Sequence, residues 1–555
     1  MGTVTLGEVK FTWQGPYSSS DTYYKQDIVE YNGDSYVCVL DGTNNVAPGN
    51  TNNWNLFAQG TENIATTDGD IIYHNGSQLV RLPIGSEGSI LGVDPITKFP
   101  QWEAYRNLLS TSVSVGGLPP NQNHSYRMGF CRMEDQSLKT WGDGGGYKLG
   151  DGATSYDRSY PVHVPFPRGF TGVQRHQGKT YTIAGVDYTI YGMDKIKFNI
   201  GYNCGAFAID NNNDLWVWGN NGYGHLGTGN STDQYVPYNV SQFSGGSIYQ
   251  QDIDHIAIPI GVEDYESVAV LDTNGRVHTA GYNGSGQLGV GDTTSRDEFV
   301  EISPSILGDV VWLAAGRESL TWYVAVKNDG TAWMWGYNGD YQTATGDTTN
   351  RTSPQRYDYF YNNSINIVFA LCGYTSCFFI DSNGNLWHTG GSQYGHSGNG
   401  GTTASSSNPV KVIDAATYGR VIQLSISIYD YPHSLALLED GSMMAAGQNN
   451  QGQLGIGNTT QQNTFVASTS GLPVDVRIKK ILVGGSANYG WSAALATDGR
   501  VYTCGYNGNG QLAVGDTSVR SSWTEVPFYK NVLDIGISGH TSEGRLFILG
   551  EEEVS

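Results

Sequence analysis

The chain has 555 residues, too many for one hydrophobic core, so two or three domains are expected. Charged residues are only 15%, while glycines number 75 and tyrosines 36, a mix that favours strands and tight turns over helices. The formal net charge of −22 has the wrong sign for a duplex nucleic acid partner, which needs a basic patch to displace counterions.

Residues Met1–Lys10 have neither a basic start nor an apolar core and are not read as a signal peptide. No run of eighteen apolar residues occurs, so no membrane insertion is predicted. The first predicted element, within 1–60, is a small β module. A strand meets an Asn32-Gly33 turn and returns as a second strand through Tyr36 to Cys38. The order Trp13, Tyr24, Asp27, Val29, Tyr31, Gly33, Tyr36, Pro48, Trp54 resembles the small chitin-type carbohydrate-binding modules. That resemblance implies sugar stacking at Trp13, Tyr24, Tyr31 and Trp54. The same aromatics also suit the core of a tiny domain.

Residues 61–124 are read as a β-rich stalk or linker. The stretch Gly69-Asp70-Ile71-Ile72-Tyr73-His74-Asn75-Gly76, closing on Arg81-Leu82-Pro83-Ile84-Gly85, is similar to a segment common in tailed-phage fibres. The resemblance implies a trimeric stalk, in which three copies cover an apolar face that one copy cannot. It further implies a virion location, with other virion proteins and a host-surface glycan or receptor as partners.

From 125 to 555 one pattern recurs. Val277–Asp292 reads VHTAGYNGSGQLGVGD and Val501–Asp516 reads VYTCGYNGNGQLAVGD. A strand-ending glycine sits at 142, 219, 281, 336, 390, 447 and 505, in steps of 77, 62, 55, 54, 57 and 58 residues. Each copy pairs an apolar strand with a second strand through an Asx-Gly turn such as Asn274-Gly275, Asp329-Gly330 or Asp498-Gly499, where glycine accepts positive φ. A Gly-rich loop then closes on one leucine (Leu149, Leu226, Leu288, Leu454 or Leu512), read as a plug between neighbouring units. Thr343 and Ser397 stand where the fourth and fifth copies would have it. A unit of about fifty residues cannot bury both faces of its sheet, so stacking in a ring is expected. The pattern resembles the regulator-of-chromosome-condensation repeat, and that resemblance implies an all-β, seven-bladed β-propeller. The strand at Val532–Gly539 is expected to complete the first blade and close the ring.

No catalytic set is legible. The Gly-x-Gly-x-x-Gly runs at Gly222–Gly227 and Gly284–Gly289 lack a following helix and are read as turns. Asp210–Asp214 lacks the glycine and glutamate of a calcium loop and is also read as a turn. Asp292, Asp347 and Asp516 recur as Gly-Asp-Thr and suit turn caps. The cysteines Cys38, Cys131, Cys204, Cys372, Cys377 and Cys504 are read as buried thiols. No enzyme activity, cofactor or metal is expected. The leading expectation is a bacteriophage tail fibre or capsid-attached fibre, a homotrimer presenting a propeller for host attachment. The alternatives are a cellular propeller scaffold binding protein partners and a secreted polysaccharide-acting enzyme. The insertions at Arg168–Tyr188 and Ser244–Asp254 are the expected variable binding loops.

Overall fold

The computed structural model describes segments between 12 and 198 and, from 205 to 552, all but 259–265, 318–320, 344–345, 374, 403–407, 428–431, 486, 528 and 539–544. It forms two units, Met1–Leu109 and Ser110–Ser555.

In the first unit, Thr12–Pro16 pairs in parallel with Asp27–Tyr31, which pairs antiparallel with Asp34–Cys38 and so to Trp54–Ala58. The hairpin turns where expected, with Asn32 at φ 56°. Tyr23, Val29 and Cys38 form its small core. The later hairpins Ile71–His74 with Leu79–Leu82, and Ser89–Val93 with Pro100–Ala104, belong to the same unit.

In the second unit, each repeat after the first becomes a four-stranded antiparallel meander. Among the described residues six are complete, the fourth repeat's being Val310–Arg317, Thr321–Lys327, Ala332–Gly336 and Arg351–Arg356. The turn between the second and third strands follows from its side chains. In 272–275 the Asp272 carboxylate accepts the backbone N–H of Asn274 and Arg276, both at 2.9 Å, and Gly275 takes φ 78°. Asn213 fills the glycine's place in 210–214 at φ 65°, a conformation asparagine tolerates.

That turn also joins one meander to the next. Its fourth residue offers a carbonyl to the N–H that opens the following meander's first strand, and in the last repeat to Val532 within the strand Tyr529–Ser538. The bond recurs as Ile253 to Asn213 (2.9 Å), Val310 to Gly275 (3.0 Å), Ile367 to Gly330 (2.8 Å), Val421 to Gly384 (3.0 Å), Ile478 to Gly441 (3.0 Å) and Val532 to Gly499 (3.1 Å). First strands bond one another as well. Trp312 Nε1 donates to Ala370 O at 2.8 Å, and the Gln423 amide accepts from Ile481 N at 3.0 Å while donating to Ile481 O at 3.1 Å. The plug leucines behave as expected. All five are buried, and Leu226, Leu454 and Leu512 each pack with apolar residues of their own and the following meander.

One expectation is corrected. The first repeat is a three-stranded sheet, Met128–Arg132, Leu138–Gly142 and Arg158–His163, and the C-terminal strand Tyr529–Ser538 does not pair with it. It pairs instead with Arg545–Glu552, the strand that follows it directly. A hairpin closes a far shorter loop than a pairing across the whole unit. Tyr529–Ser538 still takes the position of a first strand, because Val532 docks on Gly499 and Val532 and Ile535 pack on Trp491, Val501 and Leu512.

Candidate partner-binding face

Strand direction alternates in a meander, so the turns between second and third strands share one end with the links between meanders. The loops between third and fourth strands share the other end. The third-strand glycine begins each of these loops because the chain must reverse hard there. Gly281 takes φ 106°, and a Cβ on it would lie 2.4 Å from Glu266 O. The next N–H, of Tyr282, donates to that same carbonyl at 2.7 Å. Tyr337 to Thr321 O (3.1 Å) and Tyr506 to Gly490 O (2.8 Å) repeat it.

A buried asparagine two residues after the glycine then holds the loop. Asn283 Oδ1 accepts Leu288 N at 2.9 Å, and its Nδ2 donates to Asp292 O at 3.0 Å and Thr294 O at 3.1 Å. Asn221, Asn338, Asn449 and Asn507 make the matching bonds to Leu226, Thr343, Leu454 and Leu512 N–H at 2.8–3.0 Å. Ser392 takes this place in the fifth repeat and bonds Asn399 Oδ1 at 3.1 Å and Gly401 O at 3.0 Å. Thr343 and Ser397 are fully buried at the plug position, so small polar groups replace the leucine there. Sequence reading used the leucine and missed the asparagine, although it recurs at constant spacing from the glycine.

Fixed loops of this kind present tyrosines. In Tyr282-Asn283-Gly284, Tyr337-Asn338-Gly339 and Tyr506-Asn507-Gly508 the phenol folds back over the glycine. A Cβ there would fall 2.0–2.2 Å from the tyrosine oxygen. Each of these tyrosines is half-buried. Tyr223 meets Tyr282 of the next meander edge-on at 5.8 Å, and Tyr489 meets Tyr506 at 5.0 Å. Tyr147 meets Tyr235 at 4.4 Å, with Tyr235 49% and Tyr489 37% exposed. One end of the unit thus carries a series of partly exposed phenols on rigid loops.

Asp292, Asp347 and Asp516 lie in the same loops and cap turns, as their recurrence suggested. Each accepts the N–H two residues on, at 2.9, 2.7 and 2.8 Å, and binds an arginine four residues on, Arg296, Arg351 or Arg520. Those bonds hold all three carboxyls below the usual range, the backbone N–H leading for Asp292 and Asp516 and the Arg351 bond leading for Asp347. Asp210–Asp214 is the expected turn, Asp210 Oδ1 accepting Asn212 N at 2.8 Å.

The expected variable loops are not free. Both lie in links between meanders, at the turn end. The first contains a hairpin, Lys179–Ile183 with Val186–Ile190, whose Ile183 is fully buried and whose Ala184 N–H donates to Asn328 O at 2.7 Å. In the second, Ile248 is fully buried and Ser247 N–H donates to Phe299 O at 2.8 Å.

Among the described residues serine and histidine side chains pair three times, as Ser247–His278 at 2.8 Å with Asp272 3.4 Å from the other ring nitrogen, as Ser492–His433 at 2.9 Å, and as Ser376–His396. His396 Nδ1–H donates to Gln393 O at 2.8 Å, leaving Nε2 to accept from Ser376 Oγ at 3.0 Å. Both residues are buried, and burial holds the His396 imidazole down to about 4. A carbonyl in place of a carboxylate gives an imidazolium little support, so the pair is structural. Among the described residues no three His, Cys, Asp or Glu side chains gather as a metal site. Likewise no helix there is long and apolar enough to cross a membrane.

Of the four predicted sugar contacts, the side chains of Tyr24 and Tyr31 fall among the described residues. Tyr24 is 59% exposed, and its N–H is tied to Asp27 Oδ2 at 2.8 Å. Tyr31 is half-buried, edge-on to Tyr17 at 5.6 Å and to Tyr36 at 6.4 Å, so it belongs to an aromatic cluster. Trp13 lies opposite Ile28 on the sheet's edge strand, and Trp54 lies opposite Cys38. The Trp13 and Trp54 side chains lie outside the described residues.

Comparison with known proteins agrees with the repeat and corrects the setting. A family model for the regulator of chromosome condensation (RCC1) repeat matches residues 212–256. The ultraviolet-B receptor UVR8 of Arabidopsis thaliana is 28% identical over 69% of this chain and 76% of its own. The mitochondrial RCC1 domain-containing protein RUG3 of the same plant is 27% identical over 70% of this chain and 82% of its own. Human WBSCR16 has the same fold, with a TM-score of 0.50 at 16% identity over 75% of this chain and 99% of that one. UVR8 and RUG3 are proteins of a plant, the second mitochondrial by name, and they overturn the expected virion location. A short fibre-like stretch in 69–85 is outweighed by similarity across two thirds of the chain. The chain carries an RCC1 repeat and is all-β, with RCC1-like β-propeller relatives.

Proposed function

We propose that this chain is a cellular scaffold whose Ser110–Ser555 unit docks protein partners on its tyrosine-bearing loop end, without catalysis. The observation that carries this is the repeated Tyr-Asn-Gly loop, with each phenol held by a glycine and a buried asparagine hub. Tyrosine brings large contact area and a hydrogen-bonding tip at low entropic cost, which suits interface centres. The turn end is already occupied by the two packed insertions, which leaves the loop end available. A net charge of −22 favours a partner surface of positive sign. In this reading seven blades close a ring in 125–555, with 1–60 and 61–124 as separate appended parts.

A photo-cross-linking residue at Tyr506 tests this against one at Asp440 on the turn end, in the full chain expressed in cells. Protein cross-links specific to position 506, lost when Tyr282 and Tyr489 are changed to Ser, support the reading. Equal cross-linking from both ends, or none from 506, refutes it. For the first unit we propose sugar contact centred on exposed Tyr24, with Trp13, Tyr31 and Trp54 as the other candidates. Titration with chito-oligosaccharide checks this, and binding unchanged by Tyr24→Ala would remove Tyr24 from the site.

A further inference from the structure

Cys372 closes the first strand of the fifth repeat and Cys377 lies directly opposite it on the second. The loop-side bond beside them runs from Gly373 N–H to Ser376 O at 2.8 Å. That bond makes Cys372 and Cys377 a pair lacking mutual backbone bonds, the pairing in which Cα atoms approach to about 4.5 Å. A disulfide spans about 4.4–6.8 Å between Cα atoms, so this position can close without backbone movement. Their sulfurs lie 2.7 Å apart. Both thiols are free, Cys377 fully buried and Cys372 reaching the surface at 7% exposure. Among the described residues no metal-binding group gathers around them.

We propose that Cys372 and Cys377 form a redox-linked pair, which a hydroperoxide closes to a disulfide across the end of this hairpin. The sulfur of Cys372 attacks the peroxide's outer oxygen. An S–O bond forms, the O–O bond breaks, and the departing alkoxide or hydroxide takes the Cys372 proton and leaves as alcohol or water. The Cys377 sulfur then attacks Cys372, forming the S–S bond as the S–O bond breaks. The departing hydroxyl takes the Cys377 proton and leaves as water. Overall two thiols and one hydroperoxide give one disulfide, one water and one alcohol, or two waters from hydrogen peroxide. Cys372 reaches the surface while Cys377 is fully buried, its thiol raised by that burial, so first attack on the peroxide falls to Cys372. The closed bond lies at the same end of the meander as the tyrosine loops. The pair stands whether or not that end binds protein.

The test treats the full chain with hydrogen peroxide, alkylates it under denaturing conditions, and maps it after cleavage at Tyr374. The expected result is a loss of two mass units and of two alkylated thiols per chain. Peptides carrying Cys372 and Cys377 stay joined until dithiothreitol is added. In Cys377→Ser a sulfenic-acid trap labels Cys372, whereas in Cys372→Ser it leaves Cys377 unlabelled. Alkylation of both thiols after exposure that oxidises the methionines would overturn the proposal. So would linkage of either to another cysteine. The wild-type map decides the matter even if a variant fails to fold.

Discussion

At the residue scale the second unit depends on a few side chains whose roles were unequally legible. Glycines and leucines announced themselves, because a turn with positive φ and a buried plug each select one residue type. The asparagine hub did not, because its work is a set of hydrogen bonds closed only when the loop folds around it. Replacing Asn283 by Ala removes four bonds and leaves the Leu288 N–H, two carbonyls and the Asp292 carboxylate without that partner. The expected cost is about 4 kcal/mol in urea unfolding, at about 1 kcal/mol per bond. A matching exposed change, Asn274→Ala, should cost under about 0.5 kcal/mol. The predicted sugar contacts were legible as aromatics, but nothing in their order divides exposed Tyr24 from packed Tyr31. That division depends on Tyr17, which lies outside the hairpin that drew attention to the module.

At the scale of the element, three of the eleven histidines lie buried in two successive meanders, 367–413 and 421–467. His388, His396 and His433 are fully buried and held neutral. Burial brings His433 down to about 3 and His396 to about 4, and His388 falls well below its ordinary value through burial and the neighbouring His396. Unfolded, each titrates near about 6.5. Between these limits the unfolded chain takes up protons that the folded chain does not. Stability is therefore complete above about pH 6.5 and falls on acidification toward pH 4. Each histidine contributes up to about 1.4 kcal/mol per pH unit. Urea midpoints at pH 7.5, 6 and 5 should show this slope, and His433→Gln should flatten it. The repeat pattern marked these residues poorly, since His388 and His433 stand where other copies carry other residue types, and His396 recurs only as His225, with glutamine in most of the other copies. Strand order, hairpin turns and plugs were readable because they follow local rules. The pairing of Tyr529–Ser538 was misread because the alternatives differ in loop length rather than in residue pattern.

Over the whole molecule, six repetitions of one bond, from the opening N–H of a meander to the preceding turn's carbonyl, join the repeats in series. The C-terminal strand takes part through Val532, which also covers Trp491 and Leu512. Ending the chain before 529 should expose that cluster and lower the melting temperature in one cooperative step, read by calorimetry. An unchanged melting temperature would mean the strand is dispensable. The fibre-like segment misdirected the overall reading because a short stretch says little about setting, whereas the repeats extend over most of the chain. The account's central claim is that these repeats form one mutually sealed scaffold. Native-state hydrogen exchange at the amides of Ile253, Val310, Ile367, Val421, Ile478 and Val532 tests it most directly. A common opening free energy at all six, equal to that of global unfolding, is predicted; values falling steadily toward either end, as in a fraying open stack, would contradict it.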